Sequence, residues 1–269
     1  MNGELHQLLL LAANANRYLH MNEYRPFDGF GDRNVFNLAF YDEDGQPIPT
    51  MPAADPVKSW MKHLEKRRCR GVLVIQTGTP GNERESSGFI GGGRRWILVA
   101  RLDGFDEHWS AHWQLGQRAP ATRWDIAYRC RRTTSSMAID PNTYNLEASK
   151  RRLEQALTNI GGLAHEIGEE HWKINFFDAA LGILEGKVSF KRKLPERYSE
   201  QAQRVFAAVY RCWVFGGMGS WNDVPPYSAH EHDKSAEFDA YSGALYNAMQ
   251  NALEAAVNEA AVIPYGESQ

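Results

Sequence analysis

Two sets of apolar residues recur at helical spacing near the end of the chain. One is Tyr198, Ala202, Val205, Phe206, Val209 and Trp213, and the other is Phe238, Tyr241, Leu245, Met249, Leu253 and Val257. Between them lies Phe215-Gly216-Gly217-Met218-Gly219-Ser220-Trp221-Asn222-Asp223. Three glycines in four positions cannot continue a helix without a large entropic cost, and glycine ends helices by taking the left-handed conformation freely. The chain must stop and turn here, which implies an antiparallel helical hairpin. A large aromatic and two polar side chains come directly after the glycines. Either Trp221 anchors the loop by burial, with Asn222 or Asp223 capping the next turn, or the loop is presented to a partner. A helix end favours the anchor.

Upstream, Gly3 to His20 reads as an amphipathic helix with Leu5, Leu8, Leu9 and Ala12 inward, ended by the breaker cluster Arg25 to Gly31. Val35 to Asp42 alternates as a strand with Phe36, Leu38 and Phe40 on one face. Prolines 47, 49, 52 and 56 make an extended connector, and Asp55 or Pro56 starts a helix with Val57, Trp60, Met61 and Leu64 as its apolar stripe. From Gly71 the period becomes strand-like: Val72 to Thr77, Trp96 to Leu102, Trp109 to Leu115 and Trp124 to Arg131. Gly78 to Arg95 reads as a long flexible hairpin loop between the first two of these.

After Thr133-Thr134-Ser135-Ser136 the pattern turns helical, with Tyr144 to Ile160 stopped by Gly161-Gly162 and further helices from Leu163 on. The fold class expected is α+β. An N-terminal antiparallel sheet of about five strands with two helices occupies residues 1–136, and a helical half occupies 137–269, the two being able to pack as one unit. Three widely spaced cysteines fit a reducing cytoplasm. The apolar run Leu8 to Ala13 is too short for a membrane span and lacks the flanks of a signal peptide.

No stretch completes a catalytic motif. Thr77 to Asn82 and Gly88 to Arg95 are glycine-rich but do not fit a phosphate loop, although Arg94 and Arg95 keep a role as anion contacts. Ser220 follows a helix where a nucleophile elbow follows a strand. A metal-dependent hydrolase or transferase, with a site between the halves, would draw on His165, Glu169, His230 and His232, though His165 and His171 are six apart and the spacing is not HExxH. A nucleic-acid-binding sheet face would use Arg129 and Arg131, with Arg118 and Arg123 nearby, yet strand alternation sets Trp109, Trp113 and Trp124 on the opposite face.

Charge is unevenly placed. The formal net charge is -3, but from Gly217 onward eight acids face Lys234 alone, so that tail carries -7. An acidic end attracts a basic partner over about a Debye length, roughly 8–10 Å. The candidate partner-binding residues are Trp221, Asn222, Asp223, Glu231, Asp233, Glu237 and Asp239. The helix, the Gly216 to Asp223 loop and the final helix resemble a stretch of bacterial immunity proteins encoded beside polymorphic toxins; the resemblance covers roughly residues 200–269. It implies a non-enzymatic protein without cofactor that occludes the active site of a cognate toxin with a basic surface. It assigns no role to any single residue.

Overall fold

The computed structural model describes residues 1, 3–24, 35–49, 55–78, 83–89, 91–116, 124–137 and 144–262. The expected breaker cluster Arg25 to Gly31, Pro52, the first glycine-rich turn at Thr79 to Asn82, and Arg118 and Arg123 lie outside the described residues. Two units divide the chain. A helical unit comprises Met1–Asn2, Gly78–Arg94 and Asp140–Glu259, and a sheet unit comprises Gly3–Thr77, Arg95–Ile139 and Ala260–Gln269.

The sheet unit begins with helix α1 (Gly3–Met21), strand β1 (Val35–Tyr41) and helix α2 (Pro56–Lys66). Helix α2 starts where its sequence requires: Asp55 accepts bonds from the Val57 and Lys58 amides, and Pro56 fills the first turn, where no amide is needed. Val57, Trp60, Met61 and Leu64 are all buried. Four strands come next: β2 (Gly71–Thr77), β3 (Arg95–Arg101), β4 (Asp106–Leu115) and β5 (Trp124–Arg132). The sheet order is β1-β5-β4-β3-β2.

The expectation of an antiparallel sheet holds for β2 to β5, but β1 runs parallel to β5. A parallel pair needs a long crossover, and α2 with three intervening strands supplies it. One face carries the aromatic core. Phe40 stacks on Trp60 and on Tyr128, with ring centroids 4.9 and 5.1 Å apart, and Trp109 meets Trp60 edge-on. The Tyr128 hydroxyl donates to Gln7 of α1 at 2.8 Å. Alternation along β4 breaks down at both ends, because Leu115 is exposed while Asp106 and Glu107 are buried. The buried acids are held by charge and hydrogen bonds: Asp106 accepts the Met137 amide at 2.6 Å, and Glu107 pairs with Arg67 at 2.7 Å.

Strand β2 is an edge, and α1 closes it. The Asn16 amide accepts the Val72 N–H at 2.7 Å and donates to the Val72 carbonyl at 2.8 Å, so one side chain replaces a neighbouring strand. Asn16→Leu would leave both groups buried without partners. The expected loss is about 2 kcal/mol or more in urea unfolding, and a loss under about 0.5 kcal/mol would show that water satisfies that edge.

Glu107 sets a second expectation. Burial pushes its carboxyl above the usual carboxylate range, outweighing the opposing pull of Arg67. The folded protein therefore holds this proton more tightly than the unfolded chain. The site favours folding below the unfolded value of about 4.3 and loses that advantage as pH rises through the higher folded value. Glu107→Gln does not ionise, so its stability relative to wild type should improve between about pH 4 and pH 7. A difference that stays constant across this range would mean that the carboxyl titrates normally.

The helical unit holds α3 (Leu146–Glu166), a short α4 (Glu170–Trp172), a π-helical turn at Lys173–Asp178, α5 (Ala179–Leu184), α6 (Glu200–Arg211), α7 (Pro225–Glu231) and most of α8 (Ser235–Val262). Gly161-Gly162 does not stop α3. Gly161 faces Phe177 and Asp178, where an added Cβ would be 3.8 and 3.7 Å from the nearest atoms. The stop is Gly168 at φ +77°, with the Gly168 amide donating to the His165 carbonyl and the Glu169 amide to that of Ala164. No described helix is long and apolar enough to cross a membrane.

Candidate partner-binding loop

Helix α6 is capped by Ser199, whose hydroxyl accepts the Ala202 amide. Ser199 also bonds Glu259 near the end of α8, and the Tyr198 hydroxyl donates to the Val257 carbonyl at 3.0 Å. At the other end Trp213 and Phe215 meet Tyr246 edge-on. The pair is therefore antiparallel. Its connection is longer than the expected single turn: α6 ends at Arg211, and α7 is inserted before α8.

The glycine loop closes at its neck, where the Trp221 amide donates to the Val214 carbonyl at 3.0 Å. Trp221 is fully buried. Its ring stacks on Phe238 at 5.4 Å and meets Phe177 and Trp172 edge-on, and its indole N–H donates to Ser242 Oγ at 2.8 Å. Both N–H groups of this anchor are thus used, as burial of an indole requires. Trp221 has no surface to offer a partner. The loop above it is bonded internally: Ser220 Oγ donates to the Gly216 carbonyl at 3.0 Å, and Asp223 accepts the Gly219 amide at 2.7 Å, with Gly219 at φ +73°.

A second segment braces the loop. Gly78 to Arg95 is not the free hairpin expected from its glycines, since its described part is tied into the helical unit. Gly88 lies so close to the loop that an added Cβ would sit 2.6 Å from the Gly216 Cα. Asn222 donates to the Arg84 carbonyl at 3.3 Å, and Arg84 pairs with Asp239 at 3.2 Å while lying over the Phe238 ring. Arg94 is spent as well, on Glu83 at 2.9 Å and Asn247 at 2.8 Å. Beneath the loop is a cavity of about 370 Å³ walled by Trp172, Phe176 and Trp213. Among the described residues its lining brings no carboxylate side chain, imidazole or thiol, and its one hydroxyl, Ser220, is committed to Gly216.

No family model matches this chain, and neither does any curated protein or solved structure. Met218, at the loop tip between two glycines, is 99% exposed. Phe89 of the brace is 59% exposed and reaches to 3.3 Å from where a Gly217 Cβ would stand, and Val224 and Tyr227, just after the loop, are also largely exposed. Sequence reading passed over these four. For Met218 and Phe89 the available signal was an apolar residue inside a glycine-rich stretch, where a core residue has little to pack on; nothing comparable marks Val224 and Tyr227.

The acids divide by use. Glu237 is within 3.5 Å of Lys234, which also binds Glu166 at 3.0 Å, and Asp239 is taken by Arg84. Glu231 and Asp233 are exposed and make no ion pair among the described residues. The histidine set does not assemble: His165 pairs with Glu170, while Glu169 accepts the Ser228 hydroxyl and His232 meets the Ser228 carbonyl. His230 is exposed nearby, and no group of three His, Cys, Asp or Glu among the described residues could hold a metal. In the sheet unit, Arg95, Arg129 and Arg131 are exposed, and Arg129 lies over the Tyr41 ring at 4.9 Å. Trp109 is buried on the opposite face.

Proposed function

We propose that this protein is a non-enzymatic binding protein, and that the helical unit docks a protein partner through the Met218 loop. The observation that carries this reading is a wholly exposed methionine on a loop that is pinned at Trp221 and braced at Gly88. Methionine and aromatic residues are enriched at interfaces, and a loop already held in shape loses little entropy on binding. Glu231 and Asp233, exposed at the C-terminal end of α7 in the same unit, favour a basic partner and speed its capture. With the resemblance of the loop and flanking helices to immunity proteins, the partner fits a cognate bacterial toxin whose active site the loop occludes. Three unpaired cysteines suit a cytoplasmic setting.

Co-expression with the basic product of an adjacent gene tests the proposal. A stable one-to-one complex is expected, with an association rate that falls as salt rises. Glu231→Lys with Asp233→Asn, which keeps a residue suited to the left-handed turn, should slow association about fivefold at low salt while leaving dissociation nearly unchanged. Absence of a complex, or an association rate indifferent to both salt and charge reversal, contradicts the reading.

A further inference from the structure

The sheet unit has its own cavity, of about 840 Å³, within the range of small-molecule sites. Its lining includes three arginines, Arg68, Arg70 and Arg101, along with Leu19, Leu102 and Ala261 as apolar wall. Two carboxylates also line it, and both are engaged: Glu65 accepts the Tyr18 hydroxyl at 2.8 Å, and Asp103 pairs with Arg70. Arg101 donates to the Met137 carbonyl at 3.1 Å and lies 3.6 Å from Asp106. Arg68 is exposed and its guanidinium makes no ion pair or hydrogen bond among the described residues, so one residue of the lining carries a positive charge that no protein group uses.

The backbone of Arg68 is equally telling. Helix α2 ends with the Arg68 amide donating to the Glu65 carbonyl and the Cys69 amide to that of Leu64, which puts Arg68 at φ +58°. Helix α3 ends with the same bond pattern, and there the left-handed position is filled by Gly168. At the end of α7 it is filled by Asp233, a residue type that tolerates this conformation. A long charged side chain gains nothing locally from the left-handed region. Strained backbone of this kind clusters at ligand-binding sites.

We infer that this cavity binds a small organic anion, a phosphate or carboxylate on a compact apolar body, with Arg68 as the binding cation and Leu19, Leu102 and Ala261 against the apolar part. The neighbouring Cys69 takes no covalent part: its thiol donates to the Gly71 carbonyl, and burial pushes it up to about 12. This site is independent of the partner loop.

Calorimetric titration with phenyl phosphate, benzoate and neutral benzyl alcohol tests it. The expected result is saturable binding of at least one of the two anions below about 10 mM, with benzyl alcohol binding at least about tenfold more weakly. The ratio of phenyl phosphate to benzoate tells phosphate from carboxylate. Arg68→Gly should weaken anion binding about tenfold or more while raising the unfolding temperature of the ligand-free protein, since glycine relieves the turn. A purely structural arginine would show the stability change without the binding change. No anion binding by the wild type, or equal binding by Arg68→Gly, would overturn the inference.

Discussion

Trp221→Ala is expected to destabilise the helical unit by about 3–5 kcal/mol, the range for emptying a fully buried large aromatic. The loss has three sources. The ring contacts with Phe238, Phe177 and Trp172 disappear together, Ser242 Oγ is left without the indole N–H that donates to it, and the neck of the loop loses its buried plug. Trp221→Phe keeps part of the packing and should cost about half as much, because only the indole hydrogen bond and the second ring go. Urea unfolding followed by far-ultraviolet dichroism separates the two variants. A loss below about 1 kcal/mol for alanine would mean that the loop closes without its anchor.

Gly88→Val is expected to cost about 3 kcal/mol through a different route. Gly88 has no left-handed backbone to protect, so the effect is steric. A Cβ there meets the Gly216 Cα at 2.6 Å and the Gly216 carbonyl carbon at 3.1 Å, both backbone atoms that have no rotamer with which to yield. The brace must lift from the loop, and Asn222 and Arg84 would lose their mutual bond. Hydrogen exchange should then quicken at the amides of Ser87, Phe89, Ser220 and Trp221, each of which donates a backbone bond in the native loop or brace. Unchanged exchange at Trp221 would show that the brace and loop are not coupled.

Much of the fold could be read from pattern because the pattern and the packing agree. The stripe Val57, Trp60, Met61 and Leu64 is the buried face of α2, and Asp55-Pro56 is its start. Failures fall where a tertiary partner outweighs a local preference. Gly161-Gly162 reads as a helix stop, yet helix α3 runs through it with Phe177 packed close by, and the ordinary stop geometry appears at Gly168 instead. Buried Asp106 and Glu107 defy alternation because Met137 and Arg67, distant in sequence, each engage one of their carboxylate oxygens. The parallel β1–β5 pair was equally illegible, since nothing in a strand's own residues fixes which distant strand it joins.

The candidate site was half legible. Glycines 216, 217 and 219 marked the turn, and the burial of Trp221 comes from the same logic that set it there as an anchor. Asn222 and Asp223 stood out as polar groups beside that turn and Asp239 as an acid of the tail, but their bonds to Arg84, Gly219 and Arg84 give them work inside the loop and its brace. The role of Gly78 to Arg95 was hidden because glycine-rich composition says only that a backbone can bend, and close approach to Gly216 is a property of two distant segments.

Met218→Ala tests most directly whether a rigid loop presents Met218 to a partner. Met218 is 99% exposed and buries nothing within the chain, so the substitution should leave the urea midpoint unchanged. In the complex it would remove the apolar side chain from the desolvated centre of the interface, and affinity should fall by about tenfold to a hundredfold, mostly through faster dissociation. Unchanged affinity with unchanged stability would contradict the account, because the most exposed side chain of the loop would then have no part in binding.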